Sequence, residues 1–166
     1  MAQMIQAVGL LAQGHAGEAS RLRAAALEAA PASPGTLNGT PFEWLADADP
    51  RLGPMLEVLL NGSYYWVPVQ RVREIRIEAP SDIRDLVWLP AQFVWANGGE
   101  AVGFIPTRYP GSESSADDAI RLARKTDWTG SEADGALGLG QRVLATDQAD
   151  VPLLELRSVT FSPSPE

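Results

Sequence analysis

Two aspartates separated by one residue have the spacing of a metal-binding pair. Asp47 and Asp49 follow a short apolar segment, and together they form a DxD pattern. Some glycosyltransferases use this pattern to hold Mg²⁺ or Mn²⁺ with a nucleotide diphosphate, since these cations prefer carboxylate oxygens. The pattern is also typical of a turn whose carboxylates accept backbone hydrogen bonds or pair with Arg51. We expect the turn; the alternative is a metal-dependent enzyme using Asp47, Asp49 and Glu57 or Asp85.

The other residue types that catalysis commonly uses are few. His15 is the one histidine, lies between two predicted helices, and is remote in sequence from every polar cluster. There is no cysteine, so the sequence excludes a thiolate nucleophile and a His/Cys zinc site. Gly138 and Gly140 lack the third glycine of a dinucleotide fingerprint, and we expect a bulge or a close backbone approach there. The sequence therefore predicts no catalytic site and no cofactor.

Aromatic residues are the remaining candidates, and their chemistry is that of protein recognition. Interfaces are enriched in Trp, Tyr and Arg, whereas core packing explains most aromatic residues of any domain. Our candidates for partner binding are Tyr64, Trp66, Trp95, Arg108 and Tyr109. Of these, we expect Arg108 and Tyr109 to form an exposed pair in a loop.

A β-hairpin between residues 93 and 105 must position several of these side chains. Phe93 and Trp95 alternate with smaller residues, Asn97-Gly98-Gly99 has the composition of a tight turn, and Ala101 to Ile105 return the chain. Proline donates no ladder hydrogen bond, so we expect Pro90 and Pro106 at the strand ends.

Apolar spacing indicates helices elsewhere. Residues 2–13 and 17–30 predict an αα-hairpin, and residues 51–60 predict a further helix. Residues 114–125 predict another helix, with the alternative that residues 122–128 begin a strand. Period-two alternation predicts about seven strands in the remainder. We expect an α+β fold in which the N-terminal αα-hairpin packs on a mainly antiparallel β body with one or two short helices. The predicted divisions are a helical hairpin at 1–31, a linker at 32–41, the α+β body at 42–161 and a flexible tail at 162–166.

Length and charge bound the function classes. A chain of 166 residues fits one domain, and its net charge of −8 opposes nucleic-acid binding, which needs clustered cations. No apolar run approaches the ~20 residues that span a bilayer, and no signal peptide is apparent at the N-terminus. We expect a cytoplasmic protein whose negative charge keeps it in solution; the alternative is an acidic surface that suits a basic partner.

Several segments carry a resemblance to a known family. They are GTLNGTPFEWLADADPRLGPMLEVLLNGSYYWVP, the hairpin IRDLVWLPAQFVWANGGEAVGFIPTRYPGSE, ARKTDW and GLGQRVLATD. In order and spacing, Gly35 to Val159 resembles the ImpE family, also called TagJ, of type VI secretion accessory proteins. The resemblance implies a non-enzymatic adaptor that binds the small subunit of the contractile sheath and influences how the hexameric disassembly ATPase reaches that sheath.

The resemblance also bears on the N-terminal helices. Members of the family carry further tetratricopeptide-like helices ahead of this position, so residues 1–31 resemble the last hairpin of such an array. We therefore expect a shortened or naturally truncated member. In such a chain an apolar helix face is exposed or is covered by a second copy, which would give a homo-oligomer through the N-terminal helices.

Overall fold

The computed structural model describes residues 2–130 and 135–162, and this part of the chain forms 13 strands and three α-helices. The helices are α1 Ala2–Ala12, α2 Ala16–Glu28 and α3 Asp118–Arg121. The strands are β1 Gly35–Leu37, β2 Thr40–Phe42, β3 Leu45–Asp47, β4 Met55–Leu60, β5 Ser63–Pro68, β6 Val72–Arg76, β7 Trp88–Trp95, β8 Glu100–Pro106, β9 Thr126–Thr129, β10 Leu137–Gly140, β11 Val143–Thr146, β12 Asp150–Pro152 and β13 Ser158–Phe161.

The predicted α+β class is wrong, because the fold is mostly antiparallel β-sheet. The helices α1, α2 and α3 have only 11, 13 and 4 residues. The first two form a hairpin, but it is not tetratricopeptide-like as predicted. An array of that kind buries each helical face against the next pair, whereas Ile5, Val8 and Leu11 of α1 are exposed. The structure thus confirms the exposed apolar helix face and corrects the architecture.

One large sheet organises the molecule. Its eight strands run in the order β2-β1-β13-β6-β7-β8-β4-β5, and neighbouring strands are paired antiparallel. A smaller sheet, β12-β11-β3, lies over its inner face. The two sheets share one core, in which Val58, Leu89, Leu156 and Val159 are fully buried. Among the described residues, no second sheet covers the opposite face of the large sheet over β7 and β8.

The predicted hairpin is confirmed as β7 and β8. Phe93 pairs with Ala101, and Gly98 has the positive φ of 85° that the turn needs. Pro106 ends β8 as expected, but the prediction for Pro90 is wrong, since it lies inside β7. On the side of β7 to which the Pro90 nitrogen is directed, pairing with β6 stops at Gln92. The missing N–H of Pro90 therefore costs no hydrogen bond to a neighbouring strand.

The predicted helix at 51–60 is also wrong, because Met55–Leu60 forms strand β4. Its first four residues are all buried, and a strand covered on both faces has no alternation to distinguish it from a helix. Asn61 and Gly62, predicted to stop a helix, instead form the turn into β5, with φ of 50° and 79°.

The predicted linker at 32–41 contains β1 and most of β2. Asn38 and Gly39 have positive φ and close this hairpin, and β1 pairs with β13 in the large sheet. Gly35 fits beside β13 only because it lacks a side chain, since a Cβ would lie 2.2 Å from the Thr160 carbonyl oxygen. Asn38-Gly39 is the same dipeptide as Asn97-Gly98, which we used to predict the β7-β8 turn, so the sequence also indicated a hairpin turn here.

Residues 107–130 and 135–142, here called the side lobe, pack against the turn between β3 and β4. The side lobe contains the β9-β10 pair and α3, which is much shorter than the predicted helix at 114–125. Asp117 caps α3 by accepting a hydrogen bond from the Ala119 N–H. Residues 163–166 of the predicted tail lie outside the described residues. No helix in the described ranges is long and apolar enough to cross a membrane.

Candidate functional site

Asp47 and Asp49 hold the turn between β3 and β4, as the turn interpretation predicts. The Asp49 N–H donates to Asp47 Oδ1 at 2.8 Å, and the Arg51 N–H donates to Asp49 Oδ1 at 2.8 Å. The Arg51 guanidinium also donates to both Asp49 oxygens. Asp49 is fully buried, and a buried carboxylate needs such donors to offset its desolvation. Both carboxylates therefore have a structural role in the turn.

The same turn fixes the side lobe through Gly138. Asp49 Oδ2 accepts a hydrogen bond from the Gly138 N–H at 2.8 Å, and Arg51 Nη2 donates to the Gly138 carbonyl oxygen at 3.0 Å. A Cβ on Gly138 would lie 2.3 Å from the Tyr109 ring. The predicted close backbone approach at Gly138 is thus confirmed, and its partner is Tyr109.

Tyr109 is buried, with 1% of its surface exposed, so the prediction that it forms an exposed pair with Arg108 is wrong. Its hydroxyl donates to Asp47 Oδ1 at 2.7 Å and accepts from the Val143 N–H at 3.0 Å. Burial, followed by the nearby Asp47 charge, raises the pKa of Tyr109. Burial also raises the pKa of Asp47 to about 7 and outweighs its hydrogen bonds from Asp49 and Tyr109.

Arg142 joins the side lobe to strand β4. Its guanidinium lies 5.8 Å from the centre of the Tyr109 ring and forms an ion pair with Glu57 in which both side chains are buried. Glu57 also accepts a hydrogen bond from the Tyr64 hydroxyl. Burial and this bond raise the pKa of Tyr64 to about 12. The Trp66 indole N–H donates in turn to the Tyr64 hydroxyl at 2.5 Å.

These contacts form one polar network between the turn, the side lobe and the large sheet. Asp47 Oδ1 and both carboxylate oxygens of Asp49 accept hydrogen bonds from protein donors in this network. This favours the structural role of the two aspartates over the metal alternative. Within the described residues, no three His, Asp or Glu side chains are grouped to hold a metal ion. In the same part of the chain, no buried side-chain nitrogen or oxygen lacks a hydrogen-bond partner.

The outer face of the large sheet carries a different feature, an exposed apolar surface. Tyr64, Trp88, Val102 and Phe104 lie on it and are 55%, 43%, 69% and 45% exposed. We call these four residues the outer patch. The register places Tyr64 beside Leu59 and Leu59 beside Phe104, so the patch crosses strands β5, β4, β8 and β7. Contiguous apolar surface of this kind is typical of a protein interaction site.

The predicted partner-binding residues lie in different parts of the molecule. Tyr64 lies in the outer patch and Trp66 lies next to it, partly buried. Trp95 is stacked on Phe93, with ring centres 5.1 Å apart, and packs against the core. Arg108 is held by the side lobe, where its guanidinium donates to the Arg121 carbonyl oxygen.

Trp88, Val102 and Phe104 were not among our candidates. The available signal was the alternation of the β7-β8 hairpin. Trp88 and Phe104 stand on the face opposite to the buried Leu89 and Ile105, and a period-two count from the buried residues would have found them.

Comparison with known proteins identifies the relatives of this sheet. The family model described as ImpE protein matches residues 39–160. The chain belongs to the ImpE family. The resemblance stated for Gly35 to Val159 is therefore confirmed. A second member, from Pseudomonas aeruginosa, is named type VI secretion system accessory component TagJ and is 49% identical over 164 residues.

A protein with a similar fold has been solved by X-ray crystallography. A Vibrio parahaemolyticus protein of known structure superposes with a TM-score of 0.88 at 25% sequence identity, covering 98% of this chain. The chain spans 57% of the length of the Pseudomonas relative and 60% of the Vibrio chain. Both relatives are therefore considerably longer than the part that matches here.

Proposed function

We propose that this chain is a non-enzymatic accessory component of a type VI secretion system, acting in the cytoplasm as an adaptor. In this role it binds the small subunit of the contractile sheath through the outer patch. By occupying that subunit it influences how the hexameric disassembly ATPase reaches the sheath. The name of the Pseudomonas relative supports the accessory role.

The observation that carries the proposal is the outer patch. Trp and Tyr are enriched at the energetic centres of interfaces, and the patch presents one of each beside Phe104 and Val102. Its side chains stand on paired strands, so they lose little freedom when a partner binds. The polar network beside it on the same face of the sheet fixes Tyr64 through Glu57.

Charge supports a basic partner segment. The chain carries a net charge of −8, and exposed Glu100 lies on the outer face of β8, two residues from Val102. The net negative charge of the chain favours association with a segment that combines apolar and basic residues.

A binding titration with the isolated N-terminal segment of the small sheath subunit tests the proposal. Trp88→Ala removes a large part of the patch, and we expect it to weaken binding by about tenfold or more, as loss of a central aromatic residue does. Trp44→Ala is the matched control, because Trp44 has the same 43% exposure as Trp88 but lies outside the patch.

The outcomes separate the parts of the proposal. Absence of binding by the unaltered chain would refute sheath-subunit binding. Equal binding by the unaltered chain and both variants would refute the outer patch as its site. Thermal unfolding of both variants checks that the sheet is intact.

A further inference from the structure

The two edges of the large sheet differ in how they are protected. The β2 edge has three residues and contains Pro41, and short strands and proline are devices that block pairing with another chain. The β5 edge has six residues, Ser63–Pro68, with proline only at its last position. No charged residue lies between Glu57 and Arg71. An edge without these devices is a template for a further strand.

The β4-β5 register shows which backbone groups of β5 face outwards. Leu60 pairs with Ser63 across the Asn61-Gly62 turn, so the backbone of Ser63, Tyr65 and Val67 is directed to β4. The N–H and C=O groups of Tyr64 and Trp66 then point to the free edge. In the described part of the chain, β5 pairs with β4 alone, and no backbone hydrogen bond from elsewhere reaches Tyr64 or Trp66.

This arrangement is complementary to itself. A twofold axis at Tyr65 would place Tyr64 of one copy opposite Trp66 of the other in an antiparallel ladder. Both residue pairs would be of the type that exchanges two hydrogen bonds, so all the outward groups of Tyr64 and Trp66 would be satisfied. We propose that β5 pairs with β5 of a second copy of this chain, joining two large sheets into one continuous sheet.

The charge of the chain also favours a second copy as the partner of β5. Two copies that each carry a net charge of −8 repel, so they associate most readily where neither presents a charged side chain. Strand β5 offers such a surface, and its Tyr64, Tyr65 and Trp66 provide aromatic pairs across the axis. The exposed face of α1 is a different surface and is not needed for this contact.

Sedimentation velocity over a wide range of concentrations tests the proposal, together with amide hydrogen exchange of Tyr64 and Trp66. We expect a reversible dimer in which both amides become protected as the concentration rises. Tyr65→Lys places two like charges directly opposite each other at the axis, and we expect it to weaken the dimer by about tenfold or more. Tyr65 is 47% exposed, so the monomer can accept this change.

Thr40→Lys is the matched control, since it adds the same charge to the opposite edge of the sheet at an exposed position. It should leave the dimer unchanged. A monomer at every concentration would overturn the proposal. So would a dimer that survives Tyr65→Lys with unprotected Tyr64 and Trp66 amides, or one that Val8→Lys on α1 dissociates instead. Protection that appears only when a different protein is added would assign the edge to that protein and would also overturn it.

Discussion

At the scale of single residues, Asp47 makes the stability of this protein depend on pH. Burial raises its pKa from 3.8 to about 7 in the folded state, so between these values the folded protein keeps a proton that the unfolded chain releases. The free energy of unfolding supplied by Asp47 is present below the lower value and is lost as the pH rises through the upper one.

Asp47→Asn tests this pH dependence. Asparagine does not ionise, and its side-chain oxygen can still accept a hydrogen bond from the Tyr109 hydroxyl. We expect the decline in unfolding free energy across this pH range to be smaller in the variant than in the unaltered chain. Urea denaturation at several pH values measures the difference. Parallel pH profiles for the two proteins would show that Asp47 titrates normally.

At the scale of elements, α1 is held by one face and leaves the other in water. Met4 and Ala7 are buried, whereas Ile5, Val8 and Leu11 are exposed. Replacing these three exposed residues with glutamine should reduce binding of a dye specific for apolar surface, and the binding that remains should come from the outer patch. We expect each replacement to change the unfolding free energy by only ~0.5 kcal/mol, as surface substitutions do. Dye fluorescence and thermal unfolding measure the two effects.

Ala7→Gln on the same helix is the control for the α1 experiment. Ala7 is fully buried, so the longer polar side chain should destabilise the helical hairpin. If the exposed replacements destabilised the protein as much as Ala7→Gln, the outward face of α1 would be packed in solution.

At the scale of the whole molecule, the Arg142–Glu57 ion pair couples the side lobe to the large sheet. Arg142→Ala leaves Glu57 buried without its cation, and we expect a loss of about 3–5 kcal/mol in unfolding free energy. Arg142→Met with Glu57→Gln should recover part of this loss, because no charge is then left buried. Chemical denaturation of both variants measures the recovery.

The Arg84–Asp82 pair is the comparison for this ion pair, since both of its side chains are exposed. Arg84→Ala should have little effect on stability, because water screens exposed pairs. If Arg142→Ala were equally mild, the side lobe would be held to the sheet by other contacts.

Local chemistry determined what the sequence alone predicted correctly. The β7-β8 hairpin follows from alternation and a glycine turn, and the interpretation of Asp47 and Asp49 as turn residues follows from side chains that bond their own backbone two residues on. The close approach at Gly138 follows from the lack of a side chain. The hairpin and the aspartate turn depend on neighbours in the sequence, so the residues themselves carry the information. At Gly138 the sequence showed only that a close approach is possible, and the tertiary structure supplied its partner, Tyr109.

Tertiary structure decided the rest. Strand β4 is buried on both faces by elements far along the chain, and this removed the alternation that marks a strand. Tyr109 is buried because its hydroxyl reaches Asp47, 62 residues away. The outer patch exists because the small sheet covers one face of the large sheet and leaves the other face of β7 and β8 open. Which face of a strand meets water depends on what packs against the sheet, and no local pattern contains that information.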